Sequence, residues 1–213
     1  MTTSPLAAAD RRILIEAILP EVAFDGWSRA ALRHAARRVG LPAAEALALF
    51  PRGAPDLVAE FSRWADARLL DRIETAPLEP LRTPERVALA VGLRLEIVEP
   101  WREAVRRALA VLALPQYTPL GLRLVYETVD GIWYAAGDHA TDFSFYTKRA
   151  TLAAIWTATV LYWLEDRSEG FAATRAFVAR RLADAERIGR MRRGIGDIAR
   201  RLPNPLRLLH PLH

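Results

Sequence analysis

The sequence predicts an all-α helical bundle with a helix-turn-helix-like head at one end and an amphipathic helix at the other. Three observations support this. Apolar residues recur at steps of three and four along nearly every segment, the spacing that lines one face of an α-helix, and no strand-like alternation survives. Gly40, Pro42 and Pro55 punctuate the first third of the chain between helix-length stretches. No internal repeat or low-complexity stretch interrupts the pattern.

Asp10 precedes a first helix over 11–23, in which Ile13, Leu14, Ala17 and Ile18 form the apolar stripe. Pro20 is expected to kink or shorten it, because proline lacks the N–H and its ring crowds the preceding turn. Ser28 is a good N-cap for a helix over 29–39, Gly40 closes it, and Pro42 at a first helical position starts the next, 43–50. Helix, tight glycine turn and short helix together read as a helix-turn-helix. Pro55 opens a long helix, 56–75, with Leu57, Phe61, Trp64 and Leu69 on one side. A proline-bearing break at 77–84 separates this head, 1–76, from a body, 77–185. Helices are expected over 85–97, 100–112, 120–136 and 143–165, and from 169 to about 202, with Thr83, Asp142 and Ser168 as caps.

A length of 213 residues suits one large helical domain or a small head on a larger body. Without cysteine there is no disulfide framework, thiolate zinc site or cysteine nucleophile, and a reducing, cytoplasmic setting is expected. Residues 1–10 are too short and too lightly charged for a signal or transit peptide. The longest nearly uncharged run, 150–164, falls below the roughly 18–20 residues that span a bilayer and carries threonines, so it is expected to be buried within the protein.

The net charge of +5 is almost wholly arginine, with Lys148 the only lysine, and its distribution is more informative than its sum. From Glu186 onward, Arg187, Arg190, Arg192, Arg193, Arg200, Arg201 and Arg207 face only Glu186 and Asp197 as acids. Along the same stretch Val178, Leu182, Ala185, Ile188, Met191, Ile195, Ile198 and Leu202 recur at helical spacing. An apolar stripe ringed by guanidinium groups suits a helix lying in a bilayer interface. The extension, 186–213, therefore supplies the membrane-binding candidates Arg187, Ile188, Arg190, Met191, Arg193, Ile195, Ile198 and Leu202. Its first turns serve equally as core-facing helix and its later ones as a partner contact. Gly189, Gly194 and Gly196 are expected to loosen it, each costing about 1 kcal/mol relative to alanine.

Chemical motifs are sparse. No Glu-x-x-His pair, glycine-rich phosphate loop or G-x-S-x-G elbow occurs. The polar trio Asp138, His139 and Asp142 would have to converge to bind a metal or transfer protons, whereas helix capping by Asp142 and turn formation by Asp138 account for the acids. No catalytic residue, metal or cofactor is expected. In the head, the recognition position falls on PAAEALALF, 42–50, where Glu45 is the only charge, so nucleic acid is not an expected partner. Arg29, Arg33, His34, Arg37 and Arg38 on the preceding helix fit a solvated face, or a phosphate backbone if the protein is instead a transcriptional regulator.

The two helices around position 140 bring aromatic residues to both sides of a polar turn: Trp133 and Tyr134 before Gly137 and Asp138, Phe145 and Tyr146 after them. Such rings give large contact area at little rotamer cost. Beyond them Leu152, Ile155, Trp156, Val160, Trp163 and their neighbours encircle a helix, with Leu122, Val125 and Val129 placed to cover one side. A filled core and a hollow one want the same residues.

The run WYAAGDHATDFSFYTKRATL, 133–152, with the AAIWTATVLYWLEDRSEGFAATRAFVARRL that follows, closely resembles the signature region of the Coq-nine family of ubiquinone-biosynthesis accessory proteins, over roughly the C-terminal half of the chain. The resemblance implies a TetR-like fold, an elongated pocket for isoprenoid lipid, and a non-catalytic role. Such a protein would lift a polyprenylated quinone intermediate, or a phospholipid, at a membrane surface and present the quinone to the di-iron demethoxyubiquinone hydroxylase. It further implies a hydroxylase-binding patch at Ile132, Trp133, Asp142, Phe145 and Tyr146, with Phe145 where tryptophan is common, and Lys148 and Arg149 continuing the motif. The lipid-binding candidates are Leu122, Val125, Val129, Leu152, Ile155, Trp156, Val160 and Trp163. A bacterial member peripheral on the inner face of the inner membrane is expected, and a homodimer is compatible with the fold. The alternative is a TetR-like regulator sensing an apolar ligand.

Overall fold

The computed structural model describes residues 5–137 and 143–201, and every regular element among them is helical. Helix α1, Pro5–Asp25, extends beyond both ends of the expected 11–23 and is not shortened at Pro20. Wholly buried Ile18 and Val22 and nearly buried Leu19 flank the proline, so tertiary packing holds the last turn against the lost hydrogen bond. Helix α2, Arg29–Arg38, begins where Ser28 accepts a hydrogen bond from the Ala31 amide at 3.1 Å. Ser28→Ala should therefore cost about 1 kcal/mol in urea unfolding; a value below a few tenths would remove the cap from the account. Gly40, at φ +73°, makes the turn into α3, Ala43–Leu49, a left-handed conformation in which other side chains are strained. Pro42 sits at the N-cap of that short helix, one position earlier than expected.

Helix α4, Ala54–Glu74, is the shared wall of the molecule, packing on α1 and on the body helices that follow. Trp27 donates its indole N–H to the Ala104 carbonyl at 3.0 Å, tying the head to the body. Helix α5, Thr83–Val98, starts at the residue expected to cap it: Glu85 reaches back and accepts from the Arg82 amide at 2.8 Å, so a carboxylate closes this end and Thr83 is already helical. Single 3₁₀ turns lead into α6, Arg102–Leu112, and α7, Thr118–Ala135. Helix α8 spans Phe143–Glu165, as its periodicity predicts, and α9 spans Ala172–Arg201.

Helix α7 packs against α4, α5 and α8, while α9 lies on α5 and α8. One continuous apolar core runs from Leu14 in the head to Val178 in α9. The backbone of α9 stays helical through Gly189, Gly194 and Gly196. Among the described residues no single helix is long and apolar enough to cross a membrane.

Candidate functional site

An apolar pocket of about 130 Å³ opens among α4, α5, α6, α7 and α8. Four of the eight lipid-binding candidates line it: Val125, Trp156, Val160 and Trp163. Val129, Leu152 and Ile155 are buried elsewhere in the core, and Leu122 is 68 % exposed. The all-round apolar character of 150–164 predicts a run wholly inside the protein, but α8 keeps one open face, with Ala154, Thr157, Ala158, Leu161 and Tyr162 exposed, and divides its buried residues between pocket and solid core, while α7 turns Leu122 outward. The pocket is far shorter than a polyprenyl tail. Its volume matches a ring or one isoprene unit, since an engineered cavity of roughly 150 Å³ holds benzene.

The wall contains residues that apolar periodicity could not reveal. Arg94 of α5 is only 5 % exposed and lies on the lining, as do Ser62 and Thr128. Its Nε donates to Asp66 Oδ1 at 2.7 Å and its Nη2 to the Ser62 carbonyl at 3.3 Å. Thr128 donates to the two oxygens of Asp66 at 3.1 and 3.0 Å, and the guanidinium lies 5.8 Å from the Trp156 ring centroid. The only sequence signal for this group was a single arginine inside an otherwise apolar stretch of α5.

The C-terminal end of α7 and the start of α8 are clamped together. Arg149, nearly buried, donates from Nε to Asp130 Oδ1 at 2.6 Å, and Lys148 Nζ lies 5.6 Å from the Trp133 ring centroid. Gly137, at φ +80°, lets the chain leave α7 where a Cβ would press within 3.3 Å of Arg86. The clamp leaves Tyr134 and Tyr146 exposed, by 62 % and 71 % respectively. Trp133 is half-buried and Ile132 is wholly buried in the core, not at the surface. Asp142, with Asp138 and His139, lies outside the described residues, as does the side chain of Phe145. Tyr134 is the exposed aromatic of this patch that the candidate set omitted, because that set follows the family resemblance position by position and not exposure.

Helix α9 changes character along its length. Val178 is buried and Leu182 and Ala185 pack on the core, after which Ile188 is 58 % exposed. Arg187 and Arg190 extend outward, each beside an acid one turn back, Asp184 at 3.6 Å and Glu186 at 3.8 Å. The side chains of Met191, Arg193, Ile195 and Ile198, and all of Leu202, lie outside the described residues. In the head, Arg29 donates to the Pro51 carbonyl at 2.7 Å, and Arg38 bonds Glu21 and the Ala17 carbonyl. Two arginines of α2 are thus engaged within the fold.

Residues 118–189, which carry the pocket-facing α7 and α8, the aromatic clamp and most of α9, match the family model described as COQ9. Across most of the chain it is 34 % identical to the ubiquinone biosynthesis protein COQ9, mitochondrial, of Drosophila melanogaster, covering 86 % of this chain and 57 % of that protein. The chain belongs to the COQ9 family. The human COQ9 protein is likewise 34 % identical over 83 % of this chain and 57 % of its own length. A probable COQ9 of Dictyostelium discoideum is 30 % identical over 80 % of this chain and 58 % of its own length. This COQ9-family chain therefore spans a little more than half the length of the curated relatives it matches. A TetR transcriptional regulator from Nitrosomonas europaea shares the fold, with a TM-score of 0.67 at 22 % identity over 84 % of this chain and 98 % of its own. The all-α, TetR-like architecture is thereby established.

The relatives are named as mitochondrial proteins, which overturns the setting expected from composition, a cytoplasmic protein peripheral on the inner face of a bacterial inner membrane. Cysteine usage reports redox environment and residues 1–10 report only their own length and charge; neither property discriminates between these compartments.

Proposed function

We propose that this COQ9-family protein serves ubiquinone biosynthesis as a non-catalytic lipid carrier. It takes up an isoprenoid quinone intermediate at a membrane surface and presents it to the di-iron demethoxyubiquinone hydroxylase. The observation that carries this proposal is the pocket at the junction of α4–α8: apolar, open, and sized for a quinone ring or the isoprene unit next to it. A long tail keeps its ring near the bilayer, and a carrier that replaces the membrane's apolar contacts lowers the cost of moving it. Leu161 lines both the pocket and a groove between α8 and α9 that includes Tyr162 and Phe177, and a tail leaving the pocket on that side would run over these side chains.

Docking to the hydroxylase is assigned to the clamped end of α7 and α8, with Tyr134 and Tyr146 as the exposed rings and Trp133 behind them. Membrane contact is assigned to α9 beyond Ala185, where the stripe leaves the core at Ile188 between Arg187 and Arg190. A second copy of the chain is a compatible partner for this fold. The head's role as a DNA reader is disfavoured, because Glu45 is the sole charge of α3 and Arg29 and Arg38 are engaged internally.

Mass spectrometry of lipids retained by the purified protein tests carriage directly; isoprenoid quinones should be present, and a lipid-free protein that refuses added quinone would refute it. Truncation before Arg187 should weaken flotation with vesicles containing anionic phospholipid by about tenfold or more, on the scale of a few basic contacts plus the lost apolar stripe. Unchanged flotation would remove α9 from the membrane assignment.

A further inference from the structure

We propose that Arg94 is the specificity-determining residue of the pocket, donating a hydrogen bond to a neutral acceptor oxygen on the ligand's ring. This rests on the lipid-carrier proposal and goes beyond it by stating which chemistry the pocket selects. Among the lining residues Arg94 alone is charged, and it is more than nine-tenths buried. Its Nε and Nη2 are committed to Asp66 and to the Ser62 carbonyl, whereas neither of those bonds uses Nη1. A guanidinium carries five N–H donors in a fixed plane, so fixing two nitrogens fixes the direction of the third. The apolar remainder of the lining has no acceptor to offer it except the threonine and serine hydroxyls, and Thr128 is itself bonded to Asp66.

Charge decides what the group selects. Asp66 lies 2.7 Å from Arg94, so the pair is neutral, and the pocket lining supplies no second cation. A carboxylate or phosphate entering here would arrive as an uncompensated anion in an apolar wall, which is costly. A carbonyl or methoxyl oxygen on an aromatic or quinonoid ring accepts the bond without adding charge. The Trp156 ring, beneath Arg94 at 5.8 Å, offers such a ring a flat apolar surface. A buried donor left unmatched by an all-hydrocarbon ligand would in turn discriminate against it.

Three probes separate the possibilities in equilibrium dialysis against the full chain: a benzoquinone bearing one isoprene unit, an oxygen-free ten-carbon isoprenoid hydrocarbon, and decanoate. The native protein should bind the quinone at least tenfold more tightly than decanoate. The paired change Arg94→Met with Asp66→Asn, which strands no buried charge, should weaken quinone binding tenfold or more and leave the hydrocarbon within twofold. Arg94→Lys keeps the charge against Asp66 but withdraws the planar Nη1, and should weaken the quinone at least fivefold; it provides the test if the paired variant does not fold. Quinone binding unchanged in a folded variant, equal loss of quinone and hydrocarbon, or a preference for decanoate would each overturn the role of Arg94 while leaving carriage intact. A native protein that binds neither quinone nor hydrocarbon overturns both proposals.

Discussion

Val160→Trp is expected to lower the isoprenoid lipid that copurifies with the protein by about fiftyfold. Val160 lines the pocket and is only partly buried, so an indole at that position can occupy the void with part of its bulk toward solvent. In a pocket of about 130 Å³ that bulk displaces much of any ring or isoprene unit. Each CH₂ kept in water costs about 0.8 kcal/mol, so excluding three carbons removes about 2.4 kcal/mol, or a factor near fifty in affinity. Overpacking is expected to destabilise the fold by about 1–3 kcal/mol. Mass spectrometry of retained lipid, normalised to folded protein by circular dichroism, makes the measurement. Lipid content equal to that of the native protein would show that the cargo lies elsewhere.

Asp166→Ala is expected to cost about 3 kcal/mol of stability near neutral pH, because one buried carboxylate closes the connection between α8 and α9. Oδ1 accepts from the Ser168 amide at 2.8 Å and hydroxyl at 2.6 Å; Oδ2 accepts from the Thr174 amide at 2.8 Å and hydroxyl at 2.5 Å. The Asp166 carbonyl also receives Arg102 at 2.8 Å, and that guanidinium sits 4.7 Å from the Trp163 ring and 4.6 Å from Phe171. Loss of the carboxylate therefore loosens the start of α9 and one flank of the pocket together. Burial alone would raise this carboxyl, but the side-chain and backbone hydrogen bonds from Ser168 and Thr174 outweigh it and hold the group well below the usual aspartate range.

The sign follows from that depression. The unfolded chain takes up the proton at a higher pH than the folded protein, so the contribution of Asp166 is complete above the unfolded value, near 3.9, and is lost as pH falls toward the lower folded value. Urea unfolding should show a constant gap between native and Asp166→Ala proteins above about pH 5, narrowing below about pH 4. A gap that persists unchanged in acid, or one under 1 kcal/mol at pH 7, would mean that the hydroxyl and amide donors find other acceptors.

Much of the architecture was legible in local pattern. Ser28 capped the helix it preceded, Gly40 made the turn of the head, and α8 covered the run expected to be helical, although one face of it stays exposed at Leu161 and Tyr162. Boundaries moved where one side chain or tertiary packing intervened: Glu85 turned Thr83 from cap to first residue, and buried neighbours held α1 helical through Pro20 to Asp25, beyond the expected end at 23. For the pocket, the residue types were legible and their allocation was not. Val125, Trp156, Val160 and Trp163 reached the lining, while Val129, Leu152 and Ile155, of the same chemistry and on the same helices, went to solid core.

What this sequence determined by itself is helical periodicity, its caps and turns, and the marks of its family between 118 and 189, because each is written in short-range spacing and residue type. Only the tertiary structure decided that Arg94, Asp66 and Thr128, from three separate helices, meet beside an apolar void, and that Tyr134 faces outward while Ile132 is enclosed. Burial and convergence depend on how helices distant in sequence pack against one another, and no periodicity within a single helix encodes which neighbour will cover it.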